Sequence, residues 1–265
     1  VKQAQFVAIA SLSQVDPRIF TENYAEDLFS LVDSILFEFP KEIVDSLALL
    51  CRTIPDFMIT KLPELKEYAK ELVSEPDSDL NLLTAMLNKF GETCLPIDQD
   101  LIKELMKMPM TQSYLQFVVA LSSIPNGLVQ NSDATIKEAS LENSTNENEL
   151  VIILADRIKS ELQSSHPIIA LQLLSQLPQD ALTDQKFLLN EVMGLFLSSS
   201  DEIRSISPES IFNIAKSSKS IQIEEITDNL LQLAIYDSSA KVRSSIINAI
   251  GSNCCELLAS PDRTK

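Results

Sequence analysis

Four glycines, no tryptophan, a single histidine and four cysteines stand among the 265 residues of this chain. Each scarcity excludes something. Phosphate-cradling loops need glycines at fixed spacing, and many-turned β architectures need them at positive-φ turn positions. One histidine removes most catalytic and metal-binding arrangements, and a catalytic role for it would need a nucleophile and an orienting acid that one sequence cannot supply. His166 lies in Ser164-Ser165-His166-Pro167, at a helix start, and reads as a surface or capping residue. Basic residues are scarce too: 21 Lys and Arg face 38 Asp and Glu, a formal net charge of -17. The deficit is uniform, 10 against 19 in residues 1–130 and 11 against 19 in residues 131–265. Nucleic acid needs a concentrated Lys/Arg surface, and an anionic membrane surface repels an acidic chain. No apolar run reaches the ~20 residues of a membrane span. No direct nucleic-acid contact and no membrane insertion are therefore expected, and basic protein segments are the favoured partners.

The cysteines are Cys51, Cys94 and the adjacent Cys254 and Cys255, all inside or beside apolar runs and without C-x-x-C spacing. They read as buried reduced thiols, which suits an intracellular protein, cytoplasmic or nuclear. Asp98 and Asp100 lack the glycine and later ligands of a calcium loop, so solvated caps are the expectation. The sequon Asn143-Ser144-Thr145 reads as a chance occurrence. Met106, Met108 and Met110 read as core filler, and the run Glu64, Lys66, Glu67, Lys70, Glu71 as a solvated helix face. No catalytic residue, metal, cofactor or small-molecule substrate is expected, so the chain is read as not an enzyme.

What is present is helical periodicity. Apolar residues recur at three and four residues almost throughout, and alternation is scarce. Thr21 is expected to cap a helix bearing Leu28, Leu31, Val32, Ile35 and Leu36. Pro40 opens a helix with Ile43, Leu47, Leu50 and Cys51. Pro63 precedes Leu65, Tyr68, Ala69 and Leu72. Asp77 or Ser78 is expected to cap a helix ending at Gly91, and a short element covers Ile102 to Met106. Thr111 starts the next helix. Beyond residue 148 the helices are Leu150–Leu162, one opened by Pro167, Leu188–Phe196, one starting at Ser207 with Pro208 in its first turn, Ile223–Tyr236 and Lys241–Leu258. Proline costs ~3 kcal/mol inside a helix, and the twelve prolines fall mainly at the breaks. The fold class is all-α, with about thirteen helices expected.

Residues 125–147 differ. Asn, Ser and Glu dominate and apolar residues are isolated, which predicts a long polar loop cut first by dilute protease, with at most a short helix at Ile136–Leu141. The expected organisation is a helical block over 1–124, this loop over 125–147, and a second helical block over 148–265. The opening at Val1 is already helical in pattern, so the chain is expected to be a segment of a longer protein.

The segment Leu230-Leu231-Gln232-Leu233-Ala234-Ile235-Tyr236-Asp237-Ser238-Ser239-Ala240-Lys241-Val242-Arg243, continuing to Gly251, resembles the HEAT repeat. In that family an apolar first helix leads to an aspartate in the turn, and a Val-Arg pair opens the second helix. Asp237, Val242 and Arg243 stand at those positions, and Lys2 stands where the arginine of an N-terminal unit would be. The resemblance implies a right-handed α-solenoid of antiparallel helical hairpins, with an arginine reaching a neighbouring unit's aspartate. Armadillo-like packing and a non-repetitive helical domain are the alternatives. It also implies a non-catalytic protein–protein interaction scaffold of the kind found in transport receptors, chromosome-organising regulators and assembly adaptors. Two other functions stay open: an accessory region of a large enzyme, and a nucleic-acid-associated solenoid. The last would require Lys2, Arg52, Lys61, Arg157, Lys159 and Arg204 to share one continuous face.

Overall fold

Every regular element is helical among the residues described by the computed structural model, which are 2–36, 38, 40–73, 80–94, 101, 104–105, 108–124, 149–178, 181, 186–217 and 223–258. The chain divides into two compact units, residues 1–140 and 141–265. The predicted polar loop at 125–147, the helix at Ile136–Leu141, the caps at Asp77 or Ser78, the pair Asp98 and Asp100, and most of the 102–106 element lie outside the described residues.

The first unit contains α1 (Lys2–Leu12), three short helices α2 (Pro17–Asn23), α3 (Ala25–Phe29) and α4 (Val32–Ile35), then α5 (Pro40–Thr53), α6 (Pro55–Met58), α7 (Leu62–Val73), α8 (Asn81–Phe90) and α9 (Gln112–Ser122). Helix α5 packs on α1 on one side and α8 on the other, and α8 packs on α9, so the four form a continuous row. The apolar stripe read from sequence is the buried one: Ile43, Leu47 and Cys51 are fully enclosed. Leu82, Leu83, Ala85, Met86 and Leu87 bury α8 nearly all round, as its place inside the row requires. Gly91 ends α8 at φ 51°, a conformation in which a Cβ is strained. Thr111 caps α9, its hydroxyl oxygen accepting from Tyr114 N.

The predicted helix over Leu28–Leu36 is instead broken into α3 and α4, and Thr21 caps neither. Thr21 donates its hydroxyl to Pro17 O within α2. The cap is Asp16, which accepts from Arg18 N and Ile19 N just ahead of Pro17 at the first helical position. Asp-Pro is the stronger start signal, and it places the helix boundary one turn earlier.

The second unit contains α10 (Glu149–Leu162), α11 (Ile168–Gln176), α12 (Lys186–Gly194), α13 (Asp201–Ser217), α14 (Ile223–Tyr236) and α15 (Ala240–Leu258). Here α13 packs between α11 and α15, while α10 packs on α11, α12 on α13 and α14 on α15. Consecutive helices thus pair, and the second members of the pairs form a row. Its core is Leu154, Ile158, Leu171, Leu188, Val192, Ile211, Phe212, Leu230, Val242 and Ile246, each fully buried.

The expected start at Ser207-Pro208 is corrected by the structure: Pro208 lies inside α13, which begins at Asp201. Ser200 supplies the start, with Ile203 N donating to its hydroxyl and Arg204 N to its carbonyl. Pro208 removes the backbone bond to Arg204 O. Helix α13 is packed on both flanks, which offsets the loss.

Candidate functional site: the turn ladder of the second unit

The turn between α14 and α15 carries Asp237, which closes the turn on itself by accepting from Ser239 N at 2.8 Å. An acceptor there satisfies an amide that the start of α15 leaves without a helical partner. Two residues into α15, Val242 is fully buried against the rest of the unit. Arg243 follows it and donates Nη1 to Asp237 O at 2.9 Å and Ser238 O at 3.1 Å, tying the helix to its own turn.

The group that reaches the Asp237 carboxylate comes from the preceding helix pair. Arg204 of α13 donates Nε to Oδ2 at 2.8 Å and Nη2 to Oδ1 at 3.2 Å, a two-pronged contact matching the planar fork to both oxygens. Its Nη1 donates to Ser198 O at 2.7 Å. Both side chains are nearly enclosed, 11% and 12% exposed. The bond from Arg204 holds the Asp237 carboxyl below the ordinary carboxylate value, with the Ser239 amide acting in the same direction. The Arg204 guanidinium is raised by the same bond. Ser239 Oγ adds a bond to Asp201 Oδ2 at 3.2 Å, again between pairs.

Arg204 and Arg243 hold their own turns in the same way, each by an Nη1 bond to a carbonyl six residues earlier. Sequence reasoning singled out Asp237, Val242 and Arg243 but left Arg204 among the dispersed cations. The signal was the Ile203-Arg204 dipeptide, which repeats the Val242-Arg243 pattern one helix pair earlier.

Other bonds between helix pairs reach along the chain. Ser210 Oγ donates to Leu171 O across 39 residues, Asn213 Nδ2 to Leu177 O across 36, and Ser245 Oγ to Ser205 O across 40. In the first unit Ser13 and Thr53 hydroxyls meet across 40 residues, Asn81 Nδ2 donates to Asp45 Oδ1 across 36, and Tyr68 OH donates to Asp33 Oδ1 across 35. Lys61 Nζ meets Glu26 Oε1 at 2.7 Å across 35 residues and lies 5.4 Å and 5.6 Å from the ring centres of Phe29 and Phe57. These bonds span 35–40 residues, whereas Arg204–Asp237 spans 33 and Gln163 Nε2–Glu191 Oε1 spans 28.

The remaining candidates are placed as follows. His166 is exposed, its Nδ1 sharing a hydrogen bond with Ser165 Oγ and its amide donating to Ser164 Oγ. Cys51 and Cys94 are free and buried, and burial pushes their thiols up to about 12 and about 11. The side chains of Cys254 and Cys255 lie outside the described residues. Met110 is buried and Met108 half-buried. Among the six cations of the nucleic-acid alternative, Lys61 and Arg204 are held by carboxylates, Lys159 lies 5.4 Å from the Phe187 ring centre, and Arg52 Nε donates to Ala48 O. Among the described residues no Asp, Glu, Lys or Arg is a fully buried residue, no group of three or more His, Cys, Asp and Glu is arranged to hold a metal, and no helix is long and apolar enough to cross a membrane. In comparisons with known proteins, no family model, no curated sequence and no solved structure matches the chain.

Proposed function

We propose that this chain is a non-catalytic protein–protein interaction scaffold, a HEAT-like right-handed α-solenoid of antiparallel helical hairpins that receives basic protein segments in an intracellular, cytoplasmic or nuclear setting. The observation that carries the reading is the Arg204–Asp237 contact, which joins one helix pair to the next through the turn aspartate. Further bonds that span 35–40 residues support it in both units. Stacked helix pairs expose much surface per residue and suit extended partners. The charge supports basic partners: the chain carries -17, and every described Asp and Glu lies outside the buried set.

Affinity capture with the whole chain as bait tests the proposal, each captured protein then being purified and tested alone. Direct binding through Lys/Arg-rich segments, lost when those segments are deleted, is the expected result. Capture that never survives as direct binding, or survives unchanged without the basic segments, contradicts it.

A further inference from the structure

We infer that the outer face of α14 is a docking surface for an amphipathic basic helix of a distinct protein. Its apolar side chains would seat on Leu231 and Ile235, and its Lys or Arg side chains on Glu225 and Asp228. The inference deepens the scaffold reading and rests on it. Helix α14 buries Ile226, Leu230 and Ala234 in its own unit. With about 3.6 residues per turn, Glu224, Asp228, Leu231 and Ile235 fall within about 60° of one another on the other side, with Glu225 and Tyr236 beside them. All six are exposed.

That exposure does not come from the late place of α14 in the chain. Helix α12, with the single 3-10 turn Leu195–Leu197 that continues it, has a described helix pair on either side. Its buried Leu188, Val192 and Phe196 match Ile226, Leu230 and Ala234 at the same spacing. At the positions matching Asp228, Gln232 and Ile235 it carries Asn190, Gly194 and Leu197, and each is exposed. Leu197 is 92% exposed, and Ile235 is 70% exposed. Neighbouring pairs on both sides thus leave this face open.

The chemistry of the face selects its occupant. Leu231, Ile235 and Tyr236 make an apolar end, with Tyr236 80% exposed. Glu224, Glu225 and Asp228 make an acidic end, and Ile223–Tyr236 contains no Lys or Arg. Asp228 and Ile235 stand two turns apart, about 10 Å along the axis. A complementary segment therefore carries basic side chains about two helical turns from apolar ones. It is also helical. The backbone groups of α14 are committed to their own helix and offer nothing to an extended segment, whereas a helix brings its backbone already paired. A second copy of this chain carries the same net charge of -17 and is repelled, which leaves a distinct protein.

The test uses the whole chain and a labelled helical peptide of about 20 residues, with leucines on one face and lysines two turns along that face. Fluorescence anisotropy reads its affinity for wild type and three double variants. Leu231→Ser with Ile235→Ser, and Glu225→Gln with Asp228→Asn, are each expected to weaken binding about tenfold or more. Glu64→Gln with Glu67→Gln, which removes the same charge from the exposed side of α7, is expected to leave binding unchanged. Every substituted side chain is exposed, so the thermal midpoints should match wild type. Ile235→Ser and Asp228→Asn alone carry the test where a double variant unfolds. Binding unchanged by either α14 pair overturns the inference and leaves the scaffold reading standing. Binding of a Lys/Arg-rich peptide without leucines, but not of the amphipathic one, does the same. No binding of either peptide defeats both.

Discussion

At the residue scale, the account rests on one fork and one carboxylate. Arg204→Gln and Asp237→Asn are each expected to lower the thermal midpoint of the second unit, and the double variant to lose less than the two losses combined. Strict additivity in thermal unfolding would show that the contact is not a coupled pair. The pH dependence has a definite sign. Asp237 is held below its ordinary value, so its contribution is complete above the unfolded value of about 3.9 and is lost as pH falls through the lower folded value. The difference in midpoint between wild type and Asp237→Asn should therefore be constant near neutrality and shrink below about pH 4. A difference unchanged down to pH 2 would contradict this. Cys51 and Cys94, buried and pushed up to about 12 and about 11, should react with an aromatic disulfide reagent at pH 8 only after unfolding. Rapid reaction of both in the native chain would argue against their burial.

At the element scale, helix starts decide where the chain was legible. Thr111 and Gly91 were readable because a cap oxygen and a positive-φ glycine are local chemistry. Asp16-Pro17 was equally local, and the stripe at Leu28–Leu36 drew attention to the wrong boundary. Asp16→Ala is expected to cost about 1 kcal/mol and to speed amide exchange at Arg18 to Phe20 while leaving α5 unchanged. Exchange there at the wild-type rate would show that the cap is dispensable. Pro208 was misplaced for a different reason. Proline read alone belongs in a first turn, but packing of α13 between two neighbours extends the helix beyond its local preference. Removal of a buried stripe residue reports the same packing: Leu47→Ala should cost about 2–5 kcal/mol, seen as a lower denaturant midpoint.

At the scale of the whole molecule, sequence conveyed the helical class and the acid excess, because periodicity and charge are sums over many residues. It singled out Asp237, Val242 and Arg243, and left Arg204, the residue that meets Asp237, among the dispersed cations. A contact across 33 residues has no local signature; only the repeated Ile-Arg and Val-Arg dipeptides hint at it. The central claim is that this acidic, helix-paired chain receives basic protein segments. Fluorescence anisotropy of a labelled Lys/Arg-rich 20-residue peptide, titrated with the whole chain at about 50 and about 300 mM salt, tests it most directly. The account predicts binding that weakens as salt rises and is absent for an acidic peptide of the same length. Equal affinity for both peptides, or none for the basic one at low salt, would contradict it.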